Sequence, residues 1–268
     1  MNMKKTRGGL GPLEAVALST LACEFIDGVF AMPEASRVLK MSGPRLRKLL
    51  FDLADSRWLE RIEKGKYALV PLEAGPGSAY GTHPFAYARK MISPYYIGFA
   101  SALNYHGITE QVGRTVYVAS THQKKPLVFH ATRYCFVRLG GPRFFGYKED
   151  WLGKVKFNIS DVEKTVVDCL YLPDYGAGLS ESVKAFEAKP DIRKMRDYAL
   201  RMKSGSLLKR LGFLLDALDV DERMATELST RVSGGYCLLD ATGPKTGSPN
   251  KKWHIIENIR IDDLKVES

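Results

Sequence analysis

Pro33-Glu34-Ala35-Ser36-Arg37-Val38-Leu39-Lys40-Met41-Ser42-Gly43-Pro44-Arg45-Leu46-Arg47-Lys48-Leu49-Leu50-Phe51-Asp52-Leu53 decides the reading of the first third of the chain. Pro33 suits the first turn of a helix, where its missing N–H costs nothing, and Ala35, Val38 and Leu39 form that helix's apolar face. Lys40-Met41-Ser42 makes a short turn. Ser42 is a favourable N-cap and Pro44 sits in the first turn of the next helix. There Leu46, Leu49, Leu50 and Leu53 recur at i, i+3, i+4 and i+7, which places them on one buried stripe. Arg47 and Lys48 point away from the stripe and Arg45 lies at its flank. Two helices joined by a tight turn, the second with a basic outer face, match a helix-turn-helix.

The neighbouring segments extend the pattern. Upstream, Pro12 opens a helix whose stripe is Leu13, Val16, Ala17, Leu21 and Phe25, ended by Asp27-Gly28, with a very short strand at Val29-Phe30-Ala31. Downstream, Trp58-Leu59-Glu60-Arg61-Ile62 and Tyr67-Ala68-Leu69-Val70 are strand-like and flank a turn with Gly65, so they predict a β-hairpin with Lys64 and Lys66 at its tip. A hairpin directly after the third helix is the wing of a winged helix. Such a helix fits the major groove, where arginine takes guanine bidentately, while wing lysines meet phosphate. The candidate DNA-binding residues are Arg37, Lys40, Ser42, Arg45, Arg47, Lys48, Lys64 and Lys66. A solvated face or a protein-interaction module is the competing reading. Phe51 lies off the stripe, is assigned to packing against the hairpin or the second domain, and is left out of the DNA contacts.

Composition agrees with a nucleic-acid partner. The 268 residues carry 40 Lys and Arg against 30 Asp and Glu, a net charge of +10. By segment the balance is +3 for residues 1–80, +6 for 81–150 and +1 for 151–268. The 45% hydrophobic and 26% charged content excludes a disordered or fibrous chain. No apolar run reaches the length of a membrane span. The basic start, Met1-Asn2-Met3-Lys4-Lys5, lacks a following apolar region, so a cytoplasmic location is expected. Cys23, Cys135, Cys169 and Cys237 are widely spaced and are expected to be reduced and mostly buried.

Residues 75–81, Gly75-Pro76-Gly77-Ser78-Ala79-Tyr80-Gly81, predict a break. The organisation read from this is a winged helix-turn-helix at 1–75, a linker at 76–82 and a larger mixed α/β domain at 83–268, an α+β chain as a whole. In the second part helices are expected at 83–91, 95–107 and through 161–230. Strands are expected at 116–119, 127–129, 134–137, 155–159, 236–239 and 254–257, with a loop at 243–250. Tyr95, Tyr96, Phe99, Tyr105, Phe144, Phe145 and Tyr147 are mostly assigned to the core, stacking on bases or a protein partner being the alternative.

Catalytic signatures are missing. His83, His106, His122, His130 and His254 show no metal-ligand spacing, and neither a phosphate-binding glycine loop nor a nucleophile elbow occurs. No catalytic, metal or cofactor residue is assigned. Asp161, Glu163 and Lys164 suggest a nuclease-like cluster. The simpler account is a capping box, with Ser160 as N-cap and Glu163 three residues on. His106, just before Gly107, is assigned to a helix end.

Four stretches resemble the AbiEi family of abortive-infection antitoxins. They are YYIGFASALNYHGITEQ at 95–111; SDVEKTVVDCL at 160–170 with Pro173, Gly176 and Gly178; YALRMKSGSLLKRLGFLL at 198–215; and GYCLLD at 235–240, followed by Pro244, Gly247 and WHIIEN at 253–258. The resemblance implies an N-terminal winged helix that binds double-stranded operator DNA and represses its own operon. It also implies a C-terminal domain that counteracts a cognate nucleotidyltransferase toxin without a stable complex, and no enzymatic activity. It carries the DNA contacts to Arg45, Arg47, Lys48, Lys64 and Lys66, and gives Glu163, Lys164 and Asp168 no role beyond capping and packing. The alternatives are a stand-alone winged-helix regulator, or a nucleic-acid-processing enzyme using the Asp161, Glu163 and Lys164 region or His106.

Overall fold

The computed structural model describes residues 8–71 and 83–261, so the expected linker at 76–82 lies outside the described residues. The fold is mixed α+β. The chain divides into two compact units: Met1–Tyr95 with Pro126–Tyr134 and Glu149–Phe157, and Tyr96–Lys125 with Cys135–Lys148 and Asn158–Ser268.

The first unit begins with α1 (Pro12–Glu24), β1 (Val29–Ala31), α2 (Met32–Leu39), α3 (Gly43–Asp55), β2 (Leu59–Glu63) and β3 (Lys66–Leu69). Pro12 stands at the start of α1, and Glu14 accepts the Gly11 N–H at 2.8 Å, satisfying one of the amides a helix start leaves open. The three strands form an antiparallel sheet in the order β1-β3-β2. Leu21, Phe30, Leu46, Leu50, Leu53 and Leu59 fill the core beneath. The expected stripe of α1 is only partly correct. Ala17, Leu18, Leu21 and Phe25 are buried, whereas Leu13 and Val16 are 49% and 66% exposed. The core meets α1 along its 17, 18, 21, 25 face, and that rotates Leu13 and Val16 outward.

α4 (Pro84–Met91) also belongs to this unit, although the sequence suggests a boundary before it. Its basic residues explain the placement. Lys90 reaches Glu34 of α2 at 2.5 Å, and Arg89 pairs with Asp27. Lys90 and the Ala31 N–H together outweigh the burial of Glu34 and hold its carboxyl below the ordinary glutamate range.

Then come β4 (Tyr95–Ile97), α5 (Phe99–Tyr105), β5 (Thr115–Ser120), β6 (Leu127–Phe129), β7 (Thr132–Arg138), β8 (Tyr147–Leu152) and β9 (Val155–Ser160). These strands form a six-stranded sheet of order β6-β7-β5-β4-β9-β8. The continuous helix expected at 95–107 is therefore corrected: its first residues are a strand. Tyr95, Tyr96 and Ile97 are all buried, and β4 is flanked by β5 and β9. Aromatic and β-branched residues suit a strand buried on both faces, and such a run has no alternation to betray it. Of the aromatic residues assigned mostly to the core, Tyr95, Tyr96, Phe99 and Phe145 are buried, Tyr105 and Phe144 half-buried, and Tyr147 exposed.

The second unit continues with α6 (Val162–Tyr171), α7 (Leu179–Lys184), α8 (Ile192–Met202), α9 (Gly205–Ala217) and α10 (Glu222–Ser229). A small sheet of β10 (Cys237–Leu238), β11 (Ser248–Asn250) and β12 (Ile255–Glu257) follows, in the order β10-β12-β11. β11 arises inside the stretch expected to be a loop. Trp253 is fully buried against α9, and its indole N–H donates to Asp216 at 2.8 Å. Gly212 makes the close approach possible, because a Cβ there would lie 2.0 Å from the indole ring.

All four cysteines are free thiols. Only Cys169 is buried; Cys23 is exposed and the other two are half-buried, which corrects the expectation that most are buried. Among the described residues no helix is long and apolar enough to cross a membrane.

Candidate nucleic-acid interface

α3 separates its apolar and basic residues cleanly. Leu46, Leu49, Leu50 and Leu53 are 4% exposed or less, and Arg45, Arg47 and Lys48 are all exposed. Ser42 occupies the N-cap position with extended backbone, but its hydroxyl makes no cap hydrogen bond and is left at the surface. Gly43 follows at φ +63°, in the left-handed region that glycine enters without a Cβ penalty. Lys48 pairs with Asp52 one turn on at 3.0 Å, with its own side chain 78% exposed. Pairs of this kind contribute only about 0.3–0.5 kcal/mol and yield readily to a stronger anion.

The other candidates divide. Arg37, in the last turn of α2, is exposed, and so is Lys40, which caps that helix in the left-handed conformation at φ +51°. Lys64 is exposed in the turn between β2 and β3. Lys66 is not a tip residue. It begins β3, donates to the Met91 carbonyl at 2.9 Å and pairs with Glu63 at 2.8 Å. Its charge is committed within the unit, and Lys64 is the lysine the hairpin offers to solvent.

In the second unit the residues around 160 are rearranged relative to the expected capping box. Asp161, not Ser160, is the N-cap of α6, and it accepts the Lys164 N–H at 2.8 Å. The Ser160 hydroxyl is buried against Thr165 at 2.7 Å. Glu163 turns outward to accept from Lys194 at 2.8 Å and from the Asp191 N–H at 3.2 Å. Despite partial burial, those donors hold its carboxyl below the usual range. His106 ends α5, as expected, with Nε2 2.8 Å from the Ser160 carbonyl.

Lys164 points the other way, into the core. It is fully buried and pairs with Asp168, also fully buried, one turn along α6. Its ammonium also donates to the Tyr96 hydroxyl at 3.1 Å, and that hydroxyl donates to Asp168 at 2.7 Å. Met202 Sδ stands 3.9 Å from Lys164 Nζ. Burial lowers the Lys164 pKa and raises those of Asp168 and Tyr96, the mutual attraction of Lys164 and Asp168 opposing it. Gly146, at φ +69°, lies on the lysine stem, where a Cβ would come within 2.9 Å. The arrangement is a polar knot whose two charged side chains are fully buried and bonded to each other and to Tyr96. The i, i+4 spacing of Lys164 and Asp168 on an apolar helix was the one signal in the sequence that could have exposed it.

Among the described residues no group of three or more His, Cys, Asp or Glu is placed to hold a metal ion. No family model matches the chain, and no curated protein matches it. Among solved structures it is similar to the crystal structure of the Rv2827c protein from Mycobacterium tuberculosis, with a TM-score of 0.69 and 14% identity over 96% of this chain and 94% of that one. At that identity the likeness shows a shared fold along nearly the whole chain.

Proposed function

We propose that the first unit is a winged helix that binds duplex DNA through α3, and that the chain is the DNA-binding antitoxin of a two-gene module. In this reading it represses its own operon and opposes a partner nucleotidyltransferase toxin. The observation that carries the DNA half is the pair of opposed faces on α3: a buried leucine stripe, and Arg45, Arg47 and Lys48 in solvent. A helix held by one face and basic on the other presents side chains to base edges and phosphates without unfolding anything. The antiparallel hairpin that follows, with Lys64 exposed, supports a wing. The antitoxin half rests on the AbiEi resemblance in the second unit.

Substitution tests the DNA half. Arg47→Ala/Lys48→Ala is expected to keep its thermal melt, because both residues are exposed, and to lose tenfold or more in affinity for DNA upstream of its own gene. A lost bidentate base contact weakens binding by about 1–3 kcal/mol, and a lost phosphate contact weakens it on every sequence and reduces its salt dependence. Unchanged affinity would overturn the assignment of α3. The antitoxin half predicts a nucleotidyltransferase gene beside this one, and co-expression with its product tests it: rescue of growth supports it, and undiminished toxicity, or a neighbouring gene of another kind, opposes it. The enzyme reading draws less support, because Lys164 is buried with Asp168 while Glu163 is engaged by Lys194.

A further inference from the structure

Phe51 is the feature of α3 that neither the core nor the charge explains. It is 67% exposed, although Leu50 beside it is completely buried. It falls one turn beyond Arg47, so Pro44, Arg47, Lys48 and Phe51 share the outward face of the helix, and all four are exposed. Buried in the free protein, the ring would add to stability; where it stands it adds almost nothing to the fold.

Its surroundings narrow what it meets. The basic residues lie in the first half of α3; Asp52 and Asp55 follow Phe51 in the second. Phosphates are drawn to the first half and repelled from the second, which puts the ring off the backbone track and over the floor of the groove. Phenylalanine has no hydrogen-bonding group to spend there. The apolar feature of the major-groove floor is the C5-methyl group of thymine. We propose that Phe51 is a specificity-determining residue that packs on thymine methyl groups of the operator. This rests on the reading of α3 as the DNA-binding helix.

The experiment uses the full chain and two duplexes of the DNA upstream of its own gene, one natural and one with every thymine replaced by uracil. Uracil keeps the base-pairing edge and removes only the methyl group. The expected result is about fourfold weaker binding to the uracil duplex for each methyl buried by Phe51. Phe51→Ala is expected to melt like the parent and to bind the two duplexes equally. Equal binding of both duplexes by the parent would overturn the role of Phe51 while leaving DNA binding intact, and would assign the ring to a protein partner. A thymine preference that survives in Phe51→Ala would overturn it too, because another group would then be reading the methyl. Failure of the parent to prefer its upstream DNA over a scrambled duplex would overturn the DNA reading, and this inference with it.

Discussion

Lys164 shows how one residue type serves opposite ends in this chain. Lys48 and Lys64 are solvated cations, whereas Lys164 is shut away with Asp168 and Tyr96. Buried pairs gain little over an apolar core, but losing one partner strands the other charge. Lys164→Met is therefore expected to destabilise the protein by about 3–5 kcal/mol at pH 7, measured by urea unfolding. The pH dependence has a definite sign. Burial already raises the folded pKa of Asp168 above its ordinary 3.8, and removing the ammonium raises it further. A folded pKa above the unfolded one means stability is fullest below the unfolded value and falls as pH rises through the folded one. The gap between variant and parent should thus narrow from pH 7 to pH 4. A gap that widens toward acid would contradict the account. The i, i+4 spacing of Lys164 and Asp168 signals that pair, but the full knot could not be assembled from sequence because Tyr96 lies 68 residues before Lys164.

Elements were legible where one face is wet and the other dry. The α3 stripe at 46, 49, 50 and 53 reads directly as a helix, and the hairpin of β2 and β3 follows from its glycine turn. β4 was not legible, because a strand buried on both faces has no alternation, and the helical residues from Phe99 onward extend the wrong period back across it. β8 failed for the opposite reason: Tyr147–Leu152 is exposed along nearly its full length, so no buried face marks it. Small residues at contacts are likewise silent in a single sequence. Gly212 looks like a weak point in α9, yet it is what lets the helix meet Trp253. Gly212→Ala forces a methyl into that ring, and the expected cost is about 1–3 kcal/mol or more by overpacking, despite alanine's better helix propensity. An unchanged or raised melting temperature would show that the indole has room to move.

At the scale of the molecule, net charge bears on the proposed use. The chain carries +10 overall, and a field of that sign draws a polyanion to the surface before any base is read. Attraction alone yields no specificity, so the division of labour proposed for α3 has to appear in equilibrium binding. The likeness to the Rv2827c structure covers 96% of this chain, so the shared fold extends over the residues of both units. The candidate DNA face was legible in the sequence because it is local, built within about twenty residues of α2 and α3. The second unit's contribution was not, because its packing depends on contacts across far longer separations.

The most direct measurement is the affinity of the full chain for its own upstream DNA and for a scrambled duplex, across a salt series. The account predicts preferential binding to the upstream sequence and a logarithmic loss of affinity with salt, as expected when lysine and arginine displace counterions from phosphates. Weak and equal binding to both duplexes would contradict it, and would turn attention to a protein or RNA partner of the second unit.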